Sequence, residues 1–118
     1  MSVSYKNQMG NVTIDKDVIK KIASYATKES YGLVGMASKD KKTGIVELLN
    51  FLDSSKGVNI EIQDDLVYVE LFVIVQYGVK VSVVADNLIE KVKYDIENQT
   101  DLKVKKVTVN VQGVKVSK

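Results

Sequence analysis

The sequence predicts an α+β fold, a two-layer sandwich in which two main helices cover one face of a mixed β-sheet, in the order β-α-β-(α)-β-β-α-β. Two observations lead to this prediction. Segments with apolar residues at every third or fourth position, typical of helices, interleave with segments that alternate apolar and polar residues, typical of strands. The 118 residues also contain no proline and no break in composition, so we expect one domain over residues 1–118, with residues 1–8 flexible.

A strand and a helix are expected near the start of the chain. Residues 9–14 alternate well enough for a short strand, and Asp15 then offers a side chain suited to the N-cap of a helix. Residues 16–30 present one apolar face, with lysines on the other side, and therefore predict an amphipathic helix. The apolar residues are Val18, Ile19, Ile22, Ala23 and Ala26.

The next two predicted elements are a strand and a short helix. Residues 31–37 form a small apolar run in which Gly32 and Gly35 would allow close backbone contacts, as in a buried strand. After a polar turn, residues 45–52 carry isoleucine and leucine at helical spacing. A short helix is therefore predicted to follow Gly44.

A β-hairpin is predicted from residue 58 onwards. Residues 58–63 alternate apolar and polar side chains, and Asp64 and Asp65 supply a tight turn into a long returning strand. One face of that strand is aliphatic and consists of Val67, Val69, Leu71, Val73 and Val75. The other face is only partly polar and consists of Tyr68, Glu70, Phe72, Ile74 and Gln76. We therefore expect this strand to be central in the sheet or covered by a partner.

A second helix and a last strand complete the predicted fold. Gly78 follows the long strand and precedes a helix with a continuous apolar stripe. The stripe consists of Val81, Val84, Ala85, Leu88, Ile89, Val92 and Ile96. Residues 107–112 then alternate like a half-buried strand, and Gly113 is expected to mark its bend or its end. We expect structural roles for Gly32, Gly35 and Gly78.

The residue types that are missing argue against catalysis. The chain has neither histidine nor cysteine, which removes the commonest general base, the usual transition-metal ligands and any disulfide. No catalytic, metal-binding or cofactor-binding residue is therefore predicted. No apolar stretch approaches the roughly 18 residues of a membrane span, so we expect a cytoplasmic protein without direct membrane insertion.

The charged residues argue against nucleic acid as a partner. All 17 basic residues are lysine and the net charge is only +2, whereas specific phosphate recognition prefers the arginine fork. Gly32 and Gly35 nevertheless match the bare GxxG pattern of KH domains, whose loop between two helices approaches nucleotide phosphates. A KH-like protein that binds single-stranded nucleic acid is therefore the alternative hypothesis, although the absence of arginine disfavours it.

The candidate interaction surface is the partly polar face of the long strand. Tyr68, Phe72 and Ile74 lie on a face that alternation leaves uncovered, and exposed patches of this kind often mark interfaces. Glu70 lies between two aromatic residues on the same face. It could anchor an interface, or it could be a gatekeeper charge that keeps a β-rich run from aggregating. Tyr68, Glu70, Phe72 and Ile74 are thus the predicted interaction face.

Short segments in a constant order along the chain carry a family resemblance. In the first half they are residues 10–14 (GNVTI), 18–23 (VIKKIA) and 31–37 (YGLVGMA). In the second half they are residues 77–78 (YG), 84–92 (VADNLIEKV), 98–104 (NQTDLKV) and 107–114 (VTVNVQGV). With these segments the chain resembles the alkaline shock protein 23 family of Gram-positive bacteria. It departs from the family at Asp101, where the family often has glycine, and in lacking the charged terminal extensions of the stress-induced members.

The resemblance implies an abundant, non-catalytic cytosolic protein tied to cell-envelope homeostasis or the envelope stress response. Some members are held near the membrane by an anchored partner. The short chain is similar to a housekeeping branch whose genes often neighbour a dihydroxyacetone-kinase-like protein linked to fatty-acid phosphorylation. The expected partners are therefore a second copy of the chain, giving a homo-oligomer, this kinase-like protein, or a membrane-anchored protein.

Overall fold

Two helices and seven strands are present in the part of the chain that the structure describes. The structure is a computed structural model and describes residues 2–7, 9–37, 48–49 and 57–116. The strands are β1 (Ser2–Asn7), β2 (Gly10–Asp15), β3 (Leu33–Ala37), β4 (Leu48–Leu49), β5 (Val58–Gln63), β6 (Leu66–Gln76) and β7 (Lys103–Lys115). The helices are α1 (Lys16–Lys28), which follows β2, and α2 (Val81–Thr100), which lies between β6 and β7.

Strand β6 is the centre of the main sheet. β7 pairs with it in parallel along its whole length, whereas β5 and β3 pair antiparallel with the first and second parts of its other edge. β4 pairs with the outer edge of β3. The sheet is therefore mixed, which confirms the predicted fold class. Its central strand is β6, which the sequence predicted to be either central in the sheet or covered by a partner.

The two helices pack against one face of this sheet and enclose the hydrophobic core. The five aliphatic side chains on that face of β6 are at most 2% exposed, namely Val67, Val69, Leu71, Val73 and Val75. The helices contribute Ile19, Ala23, Ala26, Val84, Leu88, Val92 and Ile96 to the same core. Burying one aliphatic side chain of valine or leucine size contributes about 1.5–3 kcal/mol, so this layer is the main source of stability.

The buried stripe of each helix is narrower than the predicted apolar face. In α1 the stripe runs through Ile19, Ala23 and Ala26, at positions i, i+4 and i+7. Val18 is exposed and Ile22 is only half-buried, although both belong to the predicted face. The pattern correctly predicts which helices form, but their rotation against the sheet depends on packing that is not local in sequence.

The turn between β5 and β6 and the length of β7 can be compared directly with the predictions. Asp64 and Asp65 have φ angles of +53° and +63°, and a type I′ hairpin turn requires a positive φ at both of its central residues.

Strand β7 begins earlier than predicted, at Lys103, and continues through Gly113. The pairing register with β6 shifts just before Gly113, so this glycine lies at a bend and does not end the strand.

Two features of the first half differ from the predictions. Residues 2–7 belong to a segment expected to be flexible, but they form β1, which pairs with β2 as a separate two-stranded sheet. Of the short helix predicted over residues 45–52, only residues 48–49 lie within the described part, and they form strand β4 instead. Apolar runs this short do not distinguish a helix from a strand, because both periods fit them.

Candidate interaction surface

The four side chains of the predicted interaction face lie on the side of β6 opposite the helices. Tyr68 and Glu70 are half-buried, whereas Phe72 and Ile74 are only 8% and 5% exposed. The helix-free face is therefore divided into an accessible half near the start of β6 and a covered half near its end.

Neutral amides hold Glu70 from both sides. Its Oε1 accepts a hydrogen bond from Nδ2 of Asn59 on β5 at 3.5 Å, and its Oε2 accepts one from Nδ2 of Asn110 on β7 at 3.3 Å. The Asn110 amide also donates to the carbonyl oxygen of Leu71 at 3.3 Å, which fixes its own orientation. These two donors orient the carboxylate but bring no positive charge to it.

A shallow pocket of about 170 Å³ lies beside Glu70 on the helix-free face. Its lining includes Asn59 and Glu61 of β5, Tyr68 of β6 and Lys106 of β7. Tyr68 lies between Glu61 and Lys106 in the strand register, so an aromatic ring is flanked by charges of opposite sign. The pocket can therefore offer apolar contact, hydrogen bonds and charge to the side chain of a partner.

Phe72 and Ile74 form a small apolar cluster with Val34 of β3. Ile74 lies between two glycines in the strand register, Gly35 on β3 and Gly113 on β7. A Cβ on Gly113 would be 3.3 Å from Cδ1 of Ile74, so the isoleucine covers this glycine closely. The expectation that Phe72 and Ile74 are uncovered is therefore wrong. Alternation shows which side chains share a face but not which other residues lie over them.

The three glycines for which structural roles were expected have different surroundings. Gly32 has a φ of +88°, and a Cβ there would be 2.7 Å from Cγ2 of Val84 on α2. Gly78 has a φ of +98° with open space around it. Gly35 lies inside β3, so the GxxG segment leads from α1 into a strand. It does not connect two helices, as the loop of a KH domain does.

Neither a metal-binding cluster nor a membrane-spanning helix occurs in the described part of the chain. No group of three or more His, Cys, Asp or Glu residues in these ranges could hold a metal ion. No helix among the described residues is long and apolar enough to cross a bilayer. The adjacent carboxylates of Asp64 and Asp65 belong to the turn between β5 and β6.

An apolar groove between β2, α1 and α2 was not predicted from the sequence. It encloses about 640 Å³, and its apolar lining consists of Val12, Ile14, Val18, Ile22 and Tyr25. The last three follow each other at i, i+4 and i+7 on α1, so they form a second stripe beside the buried one. That second stripe is the signal from which the groove could have been inferred.

Lys91 of α2 links the two helices at the polar rim of this groove. Its Nζ lies 3.2 Å from Oε1 of Glu29, which follows α1, and 3.3 Å from Oδ2 of Asp95. The hydrogen bonds with Glu29 and with Asp95 raise the pKa of Lys91 above its usual value of 10.5. These side chains are partly exposed to solvent, so the ion pairs contribute little to stability.

Comparison with known proteins gives nearly full-length matches. The sequence model of the alkaline shock protein 23 family, described by its cell envelope-related function, matches residues 4–116. The Bacillus subtilis (strain 168) protein YloU is 37% identical over 118 residues, which cover 99% of this chain and 98% of that protein. A Streptococcus pyogenes serotype M6 protein is 35% identical over 117 residues, which cover 98% of this chain and 97% of that protein.

A relative with a functional name is longer than this chain. The stress response regulator gls24 homolog of Streptococcus pyogenes serotype M3 is 31% identical over 112 residues, which cover 90% of this chain but 59% of that protein.

Among solved structures, the zinc form of a MamM CTD variant aligns over 86% of both chains, with 9% identity and a TM-score of 0.49. A likeness at that level supports no conclusion about ligands.

Proposed function

Because the chain belongs to the alkaline shock protein 23 family, we propose that it is a non-catalytic protein-interaction module in cell-envelope homeostasis or stress response. The family description supports the envelope context, and the relatives named as stress response regulators support a role in stress. The composition supports a role other than catalysis, because the chain lacks the side chains that most often act as general base or as thiol nucleophile.

The accessible half of the helix-free face is the proposed docking surface. One observation carries this choice, namely that Asn59 and Asn110 orient the Glu70 carboxylate from both neighbouring strands, next to Tyr68. A charge that is already oriented loses little conformational entropy when a partner binds, which favours affinity. In this proposal Tyr68 and Glu70 contact the partner. Phe72 and Ile74, further along the same face, stabilise the sheet.

The proposed partners are proteins. They are a second copy of the chain, the dihydroxyacetone-kinase-like protein implied by the family resemblance, or a membrane-anchored protein. A partner of the last kind would hold a cytoplasmic chain at the periphery of the membrane. No cofactor is needed for any of these interactions.

Size-exclusion chromatography with light scattering tests the proposal. The purified protein is measured alone and with the kinase-like protein, and we expect a homo-oligomer or a mixed complex. Tyr68→Ala and Glu70→Lys should each weaken the assembly by about tenfold or more, because central aromatic and charged contacts dominate interface energies. Glu90→Lys is the matched control, since Glu90 is an exposed carboxylate on α2, away from this face.

Two results would contradict the proposal. One is a strict monomer that binds neither itself nor the kinase-like protein, and the other is an assembly that Tyr68→Ala and Glu70→Lys leave unchanged. The alternative, a KH-like binder of single-stranded nucleic acid, predicts strongly salt-dependent RNA binding in fluorescence anisotropy. We expect no such binding, because Gly35 lies in a strand and not in a loop between helices.

A further inference from the structure

One end of the molecule carries a group of exposed apolar side chains outside the surface described above. They are Tyr31, Tyr77, Val81, Val83, Val114 and Val116, and we call them the apolar end. Tyr31 and Tyr77 are 84% and 68% exposed, so both rings project into solvent. Single exposed apolar side chains are normal on a protein surface, but several that occur together indicate a binding surface.

Backbone hydrogen bonds bring the segments of the apolar end together. The Gln76 amide donates to the carbonyl oxygen of Gly32 at 3.0 Å, and the Tyr77 amide donates to the carbonyl oxygen of Lys115 at 2.9 Å. The connection before β3, the end of β6 and the end of β7 therefore lie side by side. Gly32 also lies against the first turn of α2, which places the start of that helix at the same end.

The charges at this end are positive. Residues 31–33, 76–83 and 113–116 contain two charged side chains, Lys80 and Lys115. Both belong to the segments that carry the exposed tyrosines and valines. The apolar end therefore combines aromatic rings and short aliphatic side chains with lysine, and its own segments contain no carboxylate side chain.

The acidic side chains nearest in sequence lie outside the segments of the apolar end. Glu29 pairs with Lys91, further along α2, and Asp86 lies beyond the first turn of that helix. The first turn of α2 contains no acidic residue, and its N-cap, Lys80, makes no side-chain capping bond. The partial positive charge of the helix N-terminus therefore adds to that of the lysines.

We propose that the apolar end binds the surface of a membrane that contains anionic lipids. Tyrosine rings favour the level of the lipid headgroups, and lysines attract anionic headgroups while their methylene stems lie along apolar surface. The contact lies at the lipid–water interface and inserts no segment across the bilayer.

The apolar end is separate from the pocket at Tyr68. The two surfaces lie towards opposite ends of β6, and the strand between Tyr68 and Gln76 spans roughly 26 Å at about 3.3 Å per residue. The chain can therefore contact a membrane at one end while a protein partner occupies the helix-free face.

A single tryptophan at the apolar end tests the proposal. The chain contains no tryptophan, so Tyr77→Trp introduces one fluorophore at the site. We expect its emission to shift to the blue with vesicles of equal parts phosphatidylglycerol and phosphatidylcholine, and to stay unchanged with phosphatidylcholine alone. Tyr94→Trp is the matched control, because Tyr94 is 66% exposed but lies in the later part of α2, and its emission should not change.

Charge variants in the Tyr77→Trp background measure the part played by the lysines. Lys80→Gln and Lys115→Gln should each weaken vesicle binding about fivefold, the effect of removing one lysine near an anionic surface. Added salt should weaken binding of the parent further, because it screens the same attraction. Lys93→Gln, at an exposed lysine elsewhere on α2, should leave binding unchanged.

Four outcomes would overturn the proposal. The first is the absence of a blue shift with anionic vesicles. The second is an equal shift at positions 77 and 94, because binding would then not be specific to the apolar end. The third is no effect of either lysine substitution, because the lysines would then not attract the anionic lipid. The fourth is a shift with polyglutamate but not with vesicles, which would indicate an acidic protein partner. The assembly measurements on the helix-free face contain no lipid, so either proposal can fail without the other.

Discussion

The two faces of β6 consist of alternate residues of one strand, yet their surroundings differ. On the helix-covered face, Val67, Leu71 and Val75 are at most 1% exposed and belong to the main core. On the helix-free face, Tyr68 and Glu70 are half-buried and have polar neighbours on both flanking strands. The comparison shows that a single strand can stabilise a domain with one face and present oriented side chains with the other.

The largest expected effect is on the helix-covered face. Leu71→Ala should lower the free energy of unfolding by about 2–5 kcal/mol, because Leu71 is fully buried and its truncation leaves a cavity. Tyr68→Ala, on the opposite face of the same strand, should lower the free energy of unfolding by only about 1 kcal/mol. Urea denaturation of both variants measures the difference. Equal losses would mean that both faces are equally important for stability.

The second prediction concerns the close contact between the start of β3 and α2. Gly32→Ala should lower the free energy of unfolding by about 2–4 kcal/mol. Alanine is strained at the left-handed φ of this position, and its Cβ would also clash with Val84. Gly78→Ala should lower the free energy of unfolding by only about 1–2 kcal/mol, because this position has a left-handed φ but open space for a Cβ. Thermal and urea unfolding compare the two. If the variants are equally stable, contact with Val84 contributes nothing.

The third prediction tests the arrangement around Glu70. Glu70→Ala should lower the free energy of unfolding by about 1 kcal/mol, because the side-chain amides of Asn59 and Asn110 lose a half-buried hydrogen-bond acceptor. The side-chain amide NMR signals of both asparagines should shift, while those of Asn87 on α2 should not. Unchanged Asn59 and Asn110 signals would show that these amides do not hold the carboxylate in solution.

The smallest effect is expected in the helix layer, at Lys91. Its pKa is raised in the folded state by Glu29 and Asp95, so its ion pairs stabilise fully below the unfolded value of 10.5, and the stabilisation is lost as pH rises through the folded pKa. The Tm difference between the parent and Lys91→Met should therefore be present at neutral pH and disappear in the strongly alkaline range. A constant difference across that range would assign the effect to packing instead.

The long elements could be predicted from the sequence because their apolar patterns repeat many times. α2 has 20 residues and β6 has 11, which is enough for the period to be unambiguous. By contrast, β4 has two residues in the described part of the chain, and β1 is a mainly polar strand whose partner β2 lies outside the main sheet. Short elements depend on their tertiary partners, which local patterns do not specify.

The candidate site could be predicted only as a set of residues on one face. Alternation places Tyr68, Glu70, Phe72 and Ile74 together, and the structure does the same. The contact of Phe72 and Ile74 with Val34, and the asparagine partners of Glu70, depend on the register of β3, β5 and β7 against β6. The two-residue turn at Asp64 and Asp65 sets the register of β5, and with it the pairing of Asn59 with Glu70. The registers of β3 and β7 are set by pairing between segments distant in sequence, so no pattern within β6 could predict them.

Asp101, which the family resemblance singles out, lies at the end of α2. Asp101 has a φ of +62° and ends α2, where its amide donates to the carbonyl oxygen of Glu97 at 2.9 Å. Glycine is preferred at such left-handed helix ends, and aspartate is among the few residues that tolerate them. Asp101 can therefore form the same left-handed helix end that a glycine would form.

The parallel pairing of β6 and β7 has a consequence for synthesis of the chain. The β5–β6 hairpin can form within microseconds from local contacts, but β7 reaches β6 only after the whole of α2 has been made. Until then the nascent chain carries a valine-rich strand with one long unpaired edge, which is a template for aggregation. Once β7 has docked, the outer edge of the sheet contains Lys103, Lys105, Lys106 and Lys115. The long edge of β6 is thus most vulnerable to aggregation in the interval before β7 has docked against it.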